Sequence, residues 1–129
     1  MLVVDASVLA PVVADAGSDG ERFRARLRGE TVIGPDLLRI EVTSVIRRRA
    51  NTGQLTIEQA DAALDDLIAF PITVLPTAGL LRRVWELRAN LTAYDGCYVA
   101  LAEATGNPLV TADRRLARSP GLRCHVEVL

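Results

Sequence analysis

The sequence contains no lysine. All 15 of its basic side chains are arginine, and 16 acidic ones leave a net charge of −1. That absence excludes Schiff-base chemistry, a phosphate loop whose lysine reaches the β and γ phosphates, and a general base built on a desolvated amine. Histidine occurs once, at His125, and cysteine twice, at Cys97 and Cys124. Neither number nor spacing suits a zinc site, which wants paired thiolates or imidazoles. A lone histidine near the C-terminus is equally poor material for a Ser-His-Asp relay. Aromatics are scarce: Phe23, Phe70, Trp85, Tyr94 and Tyr98 leave little for stacking on bases. No apolar run approaches the roughly 18 residues of a membrane span. Met1–Val4 lacks a basic flank and meets Asp5 before a signal-peptide core could form. The expectation is a soluble, cytoplasmic protein with no membrane partner. Near-zero net charge also argues against a non-specific nucleic-acid coat.

What is present is a hydrophobic half of the composition spread over 129 residues, enough for one core and too short for two ordinary ones. One domain over residues 1–129 is expected, with no repeat or linker. Short apolar runs at Leu2–Val4, Thr31–Ile33, Ile72–Leu75, Leu109–Thr111 and Val126–Leu129 read as strands. Helical patterns lie between them: Ala6–Ala14, a segment opened by a Ser18/Glu21 capping box, a long one from Pro35 to Asn51, and one opened by a Thr56/Gln59 capping box. Ala78–Ala89, Tyr94–Ala104 and Arg114–Arg118 complete the set. Apolar strands alternating with helices give an α/β class: a central, mainly parallel sheet of four to five short strands, flanked by helices on both faces. Ligands of such sheets bind beyond the carboxyl ends of the strands, where the strand order reverses.

Acids occupy those positions. Asp5 directly follows the first strand and Asp113 follows the fourth by two residues. Glu41 sits beside the apolar stripe Leu38, Val42 and Val45, and Asp95 opens the core-like run Cys97 to Ala102. Singly, each has a structural reading: Asp5 and Asp113 as helix caps, Asp95 as a partner of a helix dipole, Glu41 paired with Arg39 or Arg48. Together they are a problem, because two like charges 4 Å apart repel by about 4 kcal/mol at an effective dielectric of 20. A hard divalent cation, Mg²⁺ or Mn²⁺, is the simplest remedy for carboxylates without histidine or thiolate. Ser7 and Thr111, each two residues from an acid, are placed to orient carboxylates, water or phosphate. Arg114 and Arg115, next to Asp113, are candidates for phosphate contacts, while Arg47–Arg49 read as a solvated face or partner surface.

Val3-Val4-Asp5-Ala6-Ser7, Pro35-Asp36-Leu37-Leu38-Arg39-Ile40-Glu41-Val42, Thr92-Ala93-Tyr94-Asp95-Gly96-Cys97-Tyr98-Val99-Ala100-Leu101-Ala102-Glu103 and Val110-Thr111-Ala112-Asp113-Arg114-Arg115-Leu116 resemble the four motifs of PIN-domain ribonucleases. Length and the Tyr-Asp-x-x-Tyr-x-Ala-Leu-Ala-Glu run are most similar to the VapC toxins of type II toxin–antitoxin modules. One departure is Ser44, where relatives often carry Asn three residues after the glutamate. The resemblance implies a Mg²⁺- or Mn²⁺-dependent endoribonuclease with Asp5, Glu41, Asp95 and Asp113 as catalytic acids, and Asp5, Asp95 and Asp113 as metal ligands. It further implies an RNA substrate cut to leave a 3′ hydroxyl and a 5′ phosphate, a homodimer, and a cognate VapB-type antitoxin packing near the acids. Leu37, Leu38, Val42, Leu64 and Leu67 are either core or the lining of that partner's groove. Two other readings stand beside it: a catalytically inactive PIN-like scaffold, and a phosphohydrolase with Asp5 as nucleophile. The second lacks its usual Asp two residues on, where Ser7 stands, and its lysine.

Overall fold

Strands and helices alternate along the chain because apolar β-branched runs too short for helices are separated by segments of 3.6-residue periodicity. In the computed structural model, which describes residues 1–129, β1 (Leu2–Val4) leads to α1 (Ala6–Ala14) and α2 (Ser18–Leu27). Then β2 (Val32–Pro35) leads to α3 (Leu37–Asn51) and α4 (Ile57–Ala69). β3 (Ile72–Leu75) is followed by a 3₁₀ turn (Ala78–Leu80), α5 (Leu81–Glu86) and α6 (Ala93–Thr105). β4 (Leu109–Thr111), α7 (Arg114–Ala117) and β5 (Val126–Val128) complete the chain.

All five strands are parallel, in the order β3-β2-β1-β4-β5. The chain steps outward from β1 to β3, then crosses back to lay β4 against the free side of β1. Right-handed crossovers therefore put α1–α4 on one face and α5–α7 on the other. The order reverses between β1 and β4, so their carboxyl ends open the crevice in which such sheets bind ligands. A cluster of 25 buried apolar residues joins the sheet to both layers, with Val3, Val4, Leu9, Leu38, Val42, Val99, Leu101, Leu109 and Val110 fully enclosed. Leu38, Val42 and Leu67 belong to it; Leu37 is half-buried and Leu64 reaches solvent.

Three local expectations are corrected. The helix expected to begin with a Ser18 capping box is instead capped by Gly17, without a side-chain bond, and Ser18 lies inside it. A Cβ at Gly20 would stand 2.0 Å from the Asp15 carbonyl oxygen. Docking of α2 on the end of α1, reinforced by Arg24 donating to the carbonyls of Val12 and Asp15, decides the start rather than the serine. Pro35 ends β2, paired with Leu75, instead of opening α3, because Leu38 folds down onto Gly34, where a Cβ would lie 2.6 Å from its Cδ2. The helix expected over Ala78–Ala89 divides into the 3₁₀ turn and α5, since Gly79 and an uncapped first turn allow tighter winding. The Thr56/Gln59 box forms as expected. No helix is long and apolar enough to cross a membrane.

Candidate active site

Asp5 leaves β1 at the reversal point and caps α1. Its Oδ1 accepts from the Ser7 N–H at 3.0 Å and the Ser7 hydroxyl at 2.5 Å, and its Oδ2 accepts from the Thr111 hydroxyl at 2.5 Å. Three donors fix the group, two on Oδ1 and one on Oδ2. The two hydroxyls are themselves held by backbone donors from the loop after β4, Ala112 N–H to Ser7 Oγ at 2.8 Å and Asp113 N–H to Thr111 Oγ1 at 3.0 Å. This lattice stitches β1 to β4. Asp5 is only 5% exposed. Burial pushes its pKa up, and the bonds from Ser7 and Thr111 pull part of the way back.

Asp113 caps α7, its Oδ1 accepting from the N–H groups of Arg115 at 2.8 Å and Leu116 at 3.4 Å. Glu41 comes from the second turn of α3, where Tyr98 of α6 reaches across and donates its phenol to Oε1 at 2.8 Å. Burial, followed by the neighbouring Glu41 carboxylate, drives the Tyr98 phenol far above its usual range, so it remains a donor. The Glu41 pKa is raised by burial and by the charges of Asp95 and Asp5, against the Tyr98 bond. Asp95 lies in the first turn of α6. Its pKa is raised by burial and by Asp113, with the Thr92 hydroxyl and Arg115 opposing.

The four acids line one open cleft of about 320 Å³ with Ser7, Tyr98, Ala10, Pro11, Val45, Arg48 and Arg49. Glu41 pairs with neither Arg39 nor Arg48: Arg39 is turned to the Phe70 carbonyl. Arg115 approaches Asp113 at 3.6 Å from a 94% exposed side chain, and neither it nor Arg114 lines the cleft. Asp5, Glu41 and Asp95 have no ion-pair partner. Ser44 is exposed and away from the cleft.

The donor set fits a hard divalent cation: all oxygen, without histidine or thiolate, with Asp5, Glu41 and Asp95 at raised pKa values that an adjacent cation would lower. No three of the acids converge closely enough to form a ready cage. This suits Mg²⁺, which keeps several waters and takes one or two carboxylates. Tyr98 and the pair Arg48–Arg49 are site residues that sequence reasoning did not place in the cleft. Their signal was helical spacing: Tyr98 is three residues from Asp95, and Arg48 and Arg49 are seven and eight from Glu41.

The PIN domain family matches residues 2–122 of this chain. The ribonuclease VapC9 of Mycobacterium tuberculosis is 40% identical over 129 residues, covering 100% of this chain and 98% of the relative. Among solved structures, VapC20 of Mycobacterium tuberculosis, described as a toxin cleaving the sarcin-ricin loop, superposes with a TM-score of 0.70 at 16% identity, covering 91% of this chain and 93% of its own. VapBC2 of Rickettsia felis, bound to a DNA fragment of its promoter, gives 0.69 at 14%, covering 99% and 98%. These two likenesses establish the shared fold, and the sequence relationship goes further. With the family matched almost from end to end and a ribonuclease 40% identical along the full length, the chain belongs to the PIN domain family, in its VapC ribonuclease branch.

Proposed function

We propose that this protein is a Mg²⁺- or Mn²⁺-dependent endoribonuclease, the toxin of a type II toxin–antitoxin module, acting through Asp5, Glu41, Asp95 and Asp113. The observation that carries this reading is that four carboxylates, three without an ion-pair partner, line one cleft at the switch point of the sheet. Asp5, Asp95 and Asp113 would hold the ion. When bound, a divalent cation acidifies water and offsets charge on the scissile phosphate and the leaving oxygen.

The chain's own groups do the rest. Ser7 and Thr111 hold the Asp5 carboxylate in place at the cleft wall. Asp113, tied to α7 through Oδ1, keeps Oδ2 free of that bond. Tyr98 fixes one oxygen of Glu41, whose Oε2 takes up the proton of the attacking water. The substrate is RNA, cut to a 3′ hydroxyl and a 5′ phosphate, with Arg114 and Arg115 at the rim beside Asp113. The partners are a second copy of the chain and a VapB-type antitoxin; the family membership supports both, and the likeness to VapBC2 supports the latter.

Incubation of the purified protein with a structured RNA pool, with Mg²⁺ or Mn²⁺ or with chelator, beside Asp5→Asn, tests the reading. Cleavage by the wild type with metal alone, and none by the variant, is expected. Cutting that persists through chelation or substitution overturns it. RNA binding without cutting under every metal condition would favour the scaffold.

A further inference from the structure

The acidic cleft contains two cations that its acids do not use. Glu41, Val45, Arg48 and Arg49 all line it, and their spacing of four, seven and eight residues defines one stripe of α3. The cleft therefore continues about two helical turns past Glu41, roughly 10 Å at 1.5 Å per residue. Neither guanidinium makes a hydrogen bond or an ion pair, although Glu41 lies on the same stripe; the bonds that Thr52, Gln54 and Leu55 make to Arg48 and Arg49 are to their backbone carbonyls. Elsewhere in the molecule, arginines beside acids are committed to them: Arg26 to Glu127 and Glu30, Arg83 to Glu103 and Glu86. Arg47 is exposed and outside the cleft.

Arg48 and Arg49 line the cleft about two turns along α3 from Glu41, and Arg115 approaches Asp113 at 3.6 Å from outside it. An extended polyanion lying across the acids needs cations flanking the cutting point, because the acids themselves repel it. Arginine suits that task through its planar fork of donors for phosphate oxygens.

We propose that Arg48 and Arg49 form a phosphate clamp that grips the RNA backbone one or two nucleotides from the scissile bond, so that the strand runs along α3 away from the acids. This rests on the endoribonuclease reading above. Such a clamp holds the strand in register without reading bases.

The test compares Arg48→Ala/Arg49→Ala, Arg48→Lys/Arg49→Lys and Arg47→Ala with the wild type, using single-stranded RNA oligonucleotides of differing sequence. The Arg48→Ala/Arg49→Ala variant is expected to raise KM about tenfold, uniformly across sequences, while kcat changes less than about threefold. In an Asp5→Asn background, where the RNA stays intact, the slope of log binding constant against log salt becomes shallower by about 0.7 for each phosphate no longer neutralised. The lysine pair restores the slope and most of the affinity, and Arg47→Ala, which removes a charge one residue away, changes neither. Unaltered KM and salt slope in a double alanine variant with wild-type melting temperature would overturn the clamp, as would an Arg47→Ala effect of equal size. Failure of the endoribonuclease reading has a different signature: no metal-dependent cutting by the wild type, with the binding comparison still deciding the clamp.

Discussion

A capping aspartate and a catalytic aspartate are commonly treated as rival explanations of one residue. In this molecule Asp5 and Asp113 are caps that also line the acidic cleft, and the proposed chemistry asks both roles of each. Each satisfies orphan N–H groups at the start of a helix with Oδ1, a bond that leaves the other oxygen uninvolved in the cap. Glu41 has no such anchor, because it lies inside α3, and Tyr98 supplies one from another helix. Tyr98→Phe is expected to lower kcat about tenfold with little change in KM, and to cost about 1–2 kcal/mol of fold stability by removing a bond to a charged acceptor. A kcat within about twofold of wild type would assign the phenol to packing alone. That Asp5 and Asp113 lie beyond the strand ends at the switch point was legible from their spacing after apolar strands, and the fold brings Glu41 and Asp95 into the same cleft. How Glu41 is held was not legible, since the bond from Tyr98 spans 57 positions of sequence and no local pattern encodes it.

Elements are secured to one another by arginine. Arg83 of α5 makes a two-bond fork with Glu103 of α6 at 2.7 and 3.1 Å and donates to the Gly121 carbonyl at 2.7 Å, while the Arg123 N–H completes Glu103. Both side chains are largely enclosed, 19% and 11% exposed. Burial alone would raise the Glu103 pKa, and these bonds bring it below the usual range. Arg83→Met is expected to destabilise the protein by about 3 kcal/mol in urea unfolding, because it strands a buried carboxylate. Arg83→Met with Glu103→Leu should recover most of that loss. If the double variant is no more stable than the single, the arginine acts mainly through Gly121. At this scale the Thr56/Gln59 box and the five apolar strands are legible from local signals. The equally local signals at Ser18 and Pro35 mislead, because close packing at Gly20 and Gly34 sets the boundary there and leaves no periodicity to find.

For the whole molecule, the acids of the cleft and those of the ion pairs pull stability in opposite directions with pH. Asp5, Glu41 and Asp95 have folded-state pKa values above their unfolded ones. The native state therefore binds more protons in that interval, and stability falls as pH rises through it. Glu127, lowered by its bond from Arg26, and Glu103 behave inversely, losing their contribution only as pH falls below the ordinary carboxylate range near about 4.3. Without metal, the melting temperature is expected to peak just above the ordinary carboxylate range and to decline as pH rises through the raised pKa values of the cleft acids. Millimolar Mn²⁺ should remove most of that decline by lowering the cleft pKa values. A metal-free profile that climbs steadily across the same range would mean that repulsion in the cleft is negligible.

The β1–β4 junction has a consequence in time as well as in space. The Asp5 lattice is completed by Thr111 and the Asp113 N–H, so the first strand made waits for nearly the last before the carboxylates meet. A growing chain on the ribosome holds Asp5, Glu41 and Asp95 without their closing piece. The fold thus delays assembly of the cleft until synthesis is almost finished, and a chain cut short before β4 lacks the groups that hold Asp5 from that side, whatever length it has reached.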